Sequence, residues 1–213
     1  MSRFFPHPSQ QAVPAVRLYG RRIVLRPLTP GDWDDWFEVR HRNDDWLTPW
    51  EPQRPQHLLD PTRDRDAFTS RCHARDRDRQ MGVAYGFGLF VGGRFCGEVN
   101  INGIVRGAMQ TATIGYWIDR AEAGHRYVAE AVAVLFRFAF EELHLHRVEI
   151  CIVPRNTRSR RVMEVLDIRE EGIALRFLEI NGTWEDHVRY GLTVEEWRDR
   201  RAGYVGTWLG RRA

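Results

Sequence analysis

The stretch AGHRYVAEAVAVLFRFAFEEL, Ala123 to Leu143, decides how the chain is organised. It predicts a helix in which Val128, Val132, Leu135, Phe136, Phe138 and Phe140 fall on nearly every side, interrupted only by Glu130 and Arg137. A helix that is apolar all round is buried, so the fold is built around this one. The strand-like run TATIGYWID precedes it, with a short polar turn between them. A buried helix that opens at the end of a strand turns free backbone N–H groups and the positive end of its dipole toward the sheet edge, which suits an anion. The same local pattern also describes an ordinary core helix of an α/β domain.

Outward from that helix the chain shows no repeats, long linkers or low-complexity segments. Residues 1–15 carry proline and glutamine without periodicity and read as a loose or docked tail. Val16–Leu28 is a strand, folded as a tight hairpin about Gly20. Thr29, Pro30 and Asp32 mark a helix start, after which Trp33, Trp36, Phe37 and Arg40 recur at near-helical spacing. NDDWLTPWEPQRPQ, residues 43–56, is too rich in proline for regular structure. PTRDRDAFTSRCHARDRDRQ, residues 61–80, is a helix whose alternating Asp and Arg predict a solvated, ion-paired face. In GVAYGFGLFVGGRFCGEVNINGIV, residues 82–105, two antiparallel strands meet at Gly92-Gly93. Alternation puts Phe95, Val99 and Ile101 on one face and Cys96, Glu98 and Asn100 on the other. Beyond the central helix, HRVEICIV is a strand, NTRSRRVMEVL a helix, and EEGIALRFLEINGTWEDHVRYGLTVEEW a hairpin that turns at Asn181-Gly182 and closes in a short helix. This order predicts an α+β sheet, mostly antiparallel, with one parallel pairing across the central helix.

At 213 residues the chain suits one domain, spanning 1–213, and its apolar fraction of 43% supplies a core. The formal charge is +3, from 32 basic and 29 acidic residues, and every basic residue is arginine. Near balance argues against a dedicated nucleic-acid binder. Cys72, Cys96 and Cys151 are odd in number and widely spaced, which predicts reduced thiols rather than a disulfide framework or a zinc site. No run approaches the ~18 apolar residues of a membrane span, and MSRFFPHPSQQ lacks a signal peptide's apolar core. These features predict a cytoplasmic protein with no membrane partner. No Ser-His-Asp order, metal-ligand cluster or P-loop is present.

Three segments, IGYW, AGHRYVAEAV and NTRSRRVMEVLDIREEG, together resemble the GNAT acetyltransferases, specifically the RimJ/RimL ribosomal-protein N-acetyltransferase branch. The resemblance runs from Arg17 to Trp197. It implies the GNAT fold, a mixed and mostly antiparallel sheet with a central buried helix and helices on both faces, and acetyl-CoA as co-substrate without a metal. In that family the strand-turn-helix holds the pyrophosphate of acetyl-CoA, and the turn usually reads arginine or glutamine, two residues, glycine, one residue, then glycine or alanine. Ala123, Arg126 and Val128 occupy those positions and depart from the pattern, while Gly124 and the Glu130-Ala131 pair sit where the family often has them. Small residues serve close backbone approach. Arg126 offers a charge-assisted phosphate contact in their place.

The resemblance assigns further roles. Backbone groups of Tyr116, Trp117 and Ile118 line a gap between splayed strands, and Gly124, His125, Arg126, Tyr127, Val128 and Ala129 form the phosphate turn. The family's N-x-x-S-x-x-V signature falls on Asn156, Ser159 and Val162. Asn156 also reads as a helix cap. Ser159 corresponds to a serine that lies near the CoA sulfur, a proton donor for the departing thiolate. The family's leucine-glycine-phenylalanine is Leu166, Asp167 and Ile168 here, and aspartate tolerates positive φ.

Amide formation needs a neutral amine, a polarised carbonyl and a proton for the leaving group. Glu98 is the candidate base, acting through water, against the plainer reading of an exposed strand carboxylate. LTPWEP, Leu47 to Pro52, resembles the L-x-P-W-E-P stretch that walls the acceptor side of the cleft in this branch. The segment, with Trp46 before it, gives two readings: Trp46, Trp50 and Glu51 stack on a peptide and attract its ammonium, or the tryptophans anchor the loop in the core. The implied acceptor is a small-residue protein N-terminus, such as that of a ribosomal protein. A small-molecule amine, or a catalytically weak GNAT-fold binding module, is the alternative, and a monomer and a homodimer are equally compatible.

Overall fold

Apolar alternation along the strands produces a single eight-stranded sheet in the computed structural model, which describes residues 16–53 and 59–209. The expected tail at 1–15 and part of the proline-rich loop lie outside the described residues. The strands are β1 (Leu18–Tyr19), β2 (Ile23–Arg26), β3 (Tyr85–Val91), β4 (Arg94–Val105), β5 (Thr111–Ile118), β6 (Arg147–Ile152), β7 (Arg169–Ile180) and β8 (Thr183–Thr193). Their order across the sheet is β1-β2-β3-β4-β5-β6-β8-β7, and only β5 and β6 run parallel. Helices α1 (Trp33–Arg42), α2 (Asp44–Leu47), α3 (Arg65–Met81), α4 (Tyr127–Arg137), α5 (Thr157–Val165) and α6 (Val194–Thr207) complete the fold. None of them is long and apolar enough to cross a membrane.

The two faces of the sheet carry separate apolar clusters. On one face α4, α5 and α6 pack through Val132, Leu135, Phe136, Met163 and Trp197 against Leu25, Phe87, Val99, Ile114, Ile150 and Leu192. On the other, Trp36 and Val39 of α1 and Phe68 and Cys72 of α3 meet Leu28, Phe90 and Phe95. The central helix is buried along its length, as its composition dictates. It begins at Tyr127 rather than Ala123, and ends in a π turn over Phe138–Glu142.

Its two charged residues fasten it to the first hairpin. The Glu130 carboxylate, 1% exposed, accepts from the Arg22 backbone N–H at 2.6 Å and from Arg22 Nε at 2.8 Å. Arg137 donates to the Tyr19 carbonyl at 3.2 Å. A buried charge is tolerable only with such partners.

Several local expectations need correction. Leu89 pairs with Gly97 while Phe90 pairs with Phe95, so Cys96 is an extra residue in β4. That bulge reverses the alternation. Cys96 joins Val99 and Ile101 in the α4 cluster, and Phe95 joins the α1/α3 cluster on the face of Glu98. The segment 44–50 is helical despite its proline, because Pro49 sits in the first turn of a 3-10 helix where it has no donor to lose. The arginines of α3 are not all solvated: Arg71 and Arg75 turn inward to Glu98. The closing helix α6 runs for 14 residues. Both expected hairpin turns are present, with positive φ at Gly92 and Gly93 and at Asn181 and Gly182, as a type I′ turn requires.

Glu98 is buried, not exposed. It accepts from Trp36 Nε1 at 2.7 Å and Arg71 Nη2 at 2.5 Å, with Arg75 at 3.6 Å. Burial opposes its ionisation, but the charges of Arg71 and Arg75 and the bonds from Trp36 and Arg71 outweigh that and hold its pKa at about 2. A carboxyl whose folded pKa lies below its ordinary value of 4.5 stabilises the fold above that pH and ceases to as pH falls toward 2. The linkage is worth about 3 kcal/mol. Glu98→Gln should therefore lower the melting temperature at pH 7 and flatten its decline between about pH 4.5 and 2. An acid limb identical to that of the parent protein would contradict this account.

Candidate active site

β5 and β6 pair only at Thr111–Arg147, Ala112–Val148 and Thr113–Glu149. Beyond those three positions β5 continues to Ile118 and β6 to Ile152 without pairing, and a cleft of about 840 Å³ opens along β5 from Gly115 to Ile118, beside the start of α5. Strand alternation divides its lining between the two faces of the sheet. Tyr116, Ile118, the start of α4 and the start of α5 lie on one side; Trp117, Gly115, Asn100, Trp46, Leu47, Trp50 and Glu51 lie on the other. The cleft thus passes through the sheet.

The turn into α4 closes the first side. Ala123 is extended, Gly124 has φ 87° and Arg126 has φ 64°. Arg126 therefore adopts the left-handed backbone for which glycine is the usual choice, and Asp167 does the same at φ 53°. The N–H groups of Tyr127, Val128 and Ala129 precede the first bond of the helix, which Glu130 N–H makes to Arg126 O at 3.1 Å. Free N–H groups at a dipole's positive end, in a cleft, bind phosphate. Arg126 lines the cleft at this turn without a carboxylate partner among the described residues, whereas the Arg158 guanidinium, also at the cleft, lies against Trp46. The donor set fits the pyrophosphate of a coenzyme A thioester.

Arg22 braces this turn from behind. Besides holding Glu130, it donates Nη1 to the His125 carbonyl at 3.1 Å, and its guanidinium lies 4.8 Å from the Tyr127 ring centre. His125 is exposed, stacks on Tyr127 and is absent from the cleft lining.

On α5, Asn156 Oδ1 accepts from the Ser159 backbone N–H at 3.1 Å, the geometry of an N-cap, and Asn156 also lines the cleft. The Ser159 hydroxyl lies 2.8 Å from the Tyr116 hydroxyl. Burial pushes the Tyr116 phenol above its usual range, its hydrogen bond with Ser159 acting in the opposite sense. Tyr116 therefore stays protonated and able to donate.

Trp46 and Trp50 are half-buried in the opposite wall. Trp46 Nε1 donates to the Ile118 carbonyl at 3.2 Å, while the Arg158 and Arg155 guanidiniums lie 4.5 Å and 4.6 Å from Trp46 and Trp50. The Glu51 carboxylate is gripped by Arg40 at 2.6 and 2.8 Å. Buried Asn43 ties this wall to the end of β5, donating Nδ2 to Asp119 at 2.8 Å and accepting from Arg120 N–H at 2.9 Å.

The structure thus gathers every proposed ligand-binding residue except His125, and it does not bring Glu98 into the cleft. Three contributors escape a reading of the sequence: Arg22, the Asn43–Asp119 pair and Asn100 as a lining residue. Only the buried charge at Glu130 hints at the first. The Asn43–Asp119 pair, 76 residues apart, leaves no local pattern.

Comparison with known proteins agrees with this geometry. The family model for the acetyltransferase (GNAT) domain matches residues 22–169. The probable N-acetyltransferase YjcK of Bacillus subtilis is 36% identical, covering 80% of this chain and 93% of its own. The ribosomal protein uS5-alanine N-acetyltransferase of Escherichia coli is 32% identical, covering 89% and 96%. The solved structure of Mycobacterium smegmatis RimJ in complex with CoA-disulfide superposes with a TM-score of 0.81 at 29% identity, covering 92% of this chain and 95% of that one.

Arg126→Gly should separate the turn's two demands. Relief of the left-handed backbone should raise the melting temperature by the equivalent of about 1 kcal/mol. Loss of the guanidinium should weaken acetyl-CoA binding by about tenfold, measured by calorimetric titration. Unchanged affinity would leave Arg126 as a backbone element alone.

Proposed function

Since the chain belongs to the GNAT acetyltransferase family and is an acetyl-CoA-dependent acetyltransferase, we propose that its acceptor is the N-terminal α-amine of a protein, a ribosomal protein in the first instance. The observation that carries this reading is the cleft through the sheet, whose acceptor side is a slot walled by Trp46 and Trp50 rather than a closed chamber. The Escherichia coli relative is named for the alanine of ribosomal protein uS5, which supports the same acceptor class.

Acetyl-CoA supplies an acyl group activated as a thioester. The α4 N-terminus and Arg126 hold its phosphates, and the free edge of β5 from Gly115 to Ile118 offers main-chain groups to its amides. The Ser159 hydroxyl gives its proton to the leaving sulfur, the Tyr116 hydroxyl, 2.8 Å away, orients it, and water in the cleft returns to Ser159 the proton that the amine gives up. Trp46 and Trp50 stack on the acceptor chain. Glu51, shared with Arg40, steers the terminal ammonium. A carboxyl held at about pKa 2 beneath two arginines is a poor base, so the amine's proton leaves through water in the open slot rather than to Glu98.

Ser159→Ala should lower kcat by about tenfold or more with little change in the KM for acetyl-CoA, and Tyr116→Phe by less. Unchanged kcat in a Ser159→Ala protein that still binds acetyl-CoA would remove Ser159 from proton transfer. A panel of alanine- and serine-headed peptides, polyamines and aminoglycosides tests the acceptor. Peptides should be preferred, and Trp50→Ala should reduce their turnover; preference for a small amine over every peptide would overturn the reading.

A further inference from the structure

Asn100 lies on β4 opposite Gly115 of β5, on the acceptor side of the cleft. Its Oδ1 accepts from Arg75 Nη1 at 2.6 Å. A guanidinium can only donate, so this bond fixes which end of the amide faces Arg75. The amide nitrogen is left toward the cleft with two N–H donors and no protein acceptor among the described residues. A half-buried donor pair without a partner is a cost that a ligand carbonyl removes.

The surroundings keep the amide in that pose. Arg75 also approaches Glu98 at 3.6 Å, and Glu98 is itself held by Trp36 and Arg71. Gly86 leaves the path by which Arg75 reaches Asn100, for a Cβ there would stand 1.9 Å from Arg75 Nη1. On the other flank Gly115 keeps the space beside Asn100 open, since the nearest atom to a Cβ at that position is Asn102 Nδ2 at 3.7 Å. The buried Glu98 cluster thus serves the cleft at one remove, by orienting an amide.

We propose that Asn100 donates a hydrogen bond to the first peptide carbonyl of the acceptor, and so contributes to the choice of an N-terminus over a bare amine; this rests on the peptide acceptor proposed above. An α-amine in a peptide always has that carbonyl bonded to the carbon that bears the nitrogen, whereas a simple alkylamine has none. The proposed coenzyme edge is β5 from Gly115 to Ile118, and Asn100 belongs to the next strand, β4, on the face opposite α4.

The test compares the parent enzyme, Asn100→Ala and Asn100→Asp on an alanine-headed tripeptide and on 2-aminopropane, which has alanine's carbon branch without the carbonyl. Asn100→Asp keeps a partner for Arg75 but has no N–H to give. Both variants should raise the KM for the tripeptide by about tenfold, the scale of one lost hydrogen bond. The KM for acetyl-CoA and the kcat/KM for 2-aminopropane should stay within about twofold of the parent's, within the scatter of a single hydrogen bond's worth. Tripeptide kinetics unaltered by Asn100→Asp, or equal losses on both acceptors, would overturn the role of Asn100 and leave the peptide reading standing. A parent enzyme that ignores the tripeptide while acetylating 2-aminopropane would defeat the peptide reading and this role with it.

Discussion

A parallel pair of strands that parts after Thr113 and Glu149 leaves main-chain N–H and C=O groups along its inner edges without ladder partners. Backbone groups removed from water must bond to something. The chain itself answers part of that demand, through Trp46 and the Ile118 carbonyl, and leaves the rest to a ligand shaped like a strand. The segment 46–51, the end of β5 and the starts of α4 and α5 furnish its walls. The buried helix α4 supplies a positive pole at one lip, and α5 brings Ser159 to within hydrogen-bonding distance of Tyr116 on β5.

Holding such a gap in place falls to a small number of buried polar contacts between segments distant in sequence. Arg22 joins the first hairpin to both α4 and the His125 carbonyl, so the phosphate turn cannot shift without disturbing the hairpin. Asn43 and Asp119 perform the equivalent task for the acceptor wall, with Arg42 adding an ion pair to Asp119. Each pair sets the cost of burying a charge or amide against a bond that exists only when the two segments sit correctly. Apolar packing of α4 stabilises the fold generally; these bonds fix the relative placement of the cleft walls.

The fold was legible because its signals are local. The apolar run around Val132 and Phe136, the Gly92-Gly93 turn and the Asn181-Gly182 turn each identify an element from adjacent residues. The residues proposed for the cofactor were singled out through the resemblance carried by Asn156, Ser159 and the turn at Gly124, and the structure brings them to one cleft; Asp167 adopts a positive φ, as aspartate can. What escaped depends on tertiary partners. Nothing near Cys96 announces the bulge that exchanges the faces of Phe95 and Cys96, because it arises from the register with β3. Glu98 looks like any strand carboxylate until Arg71 and Arg75, 27 and 23 positions earlier, fold over it. The left-handed backbone of Arg126 is foreseeable only from the glycine usual at that position in the turn pattern the sequence resembles.

If the slot binds as proposed, with phosphates at the α4 mouth and the acceptor at the tryptophans, it has a kinetic corollary. Two solutes that arrive from opposite faces of a wall do not queue at a common entrance. Either could then load first, and each product could withdraw by the route its parent took, without passing the other. The sheet then acts as a partition with a single aperture, and the acyl group is all that changes sides.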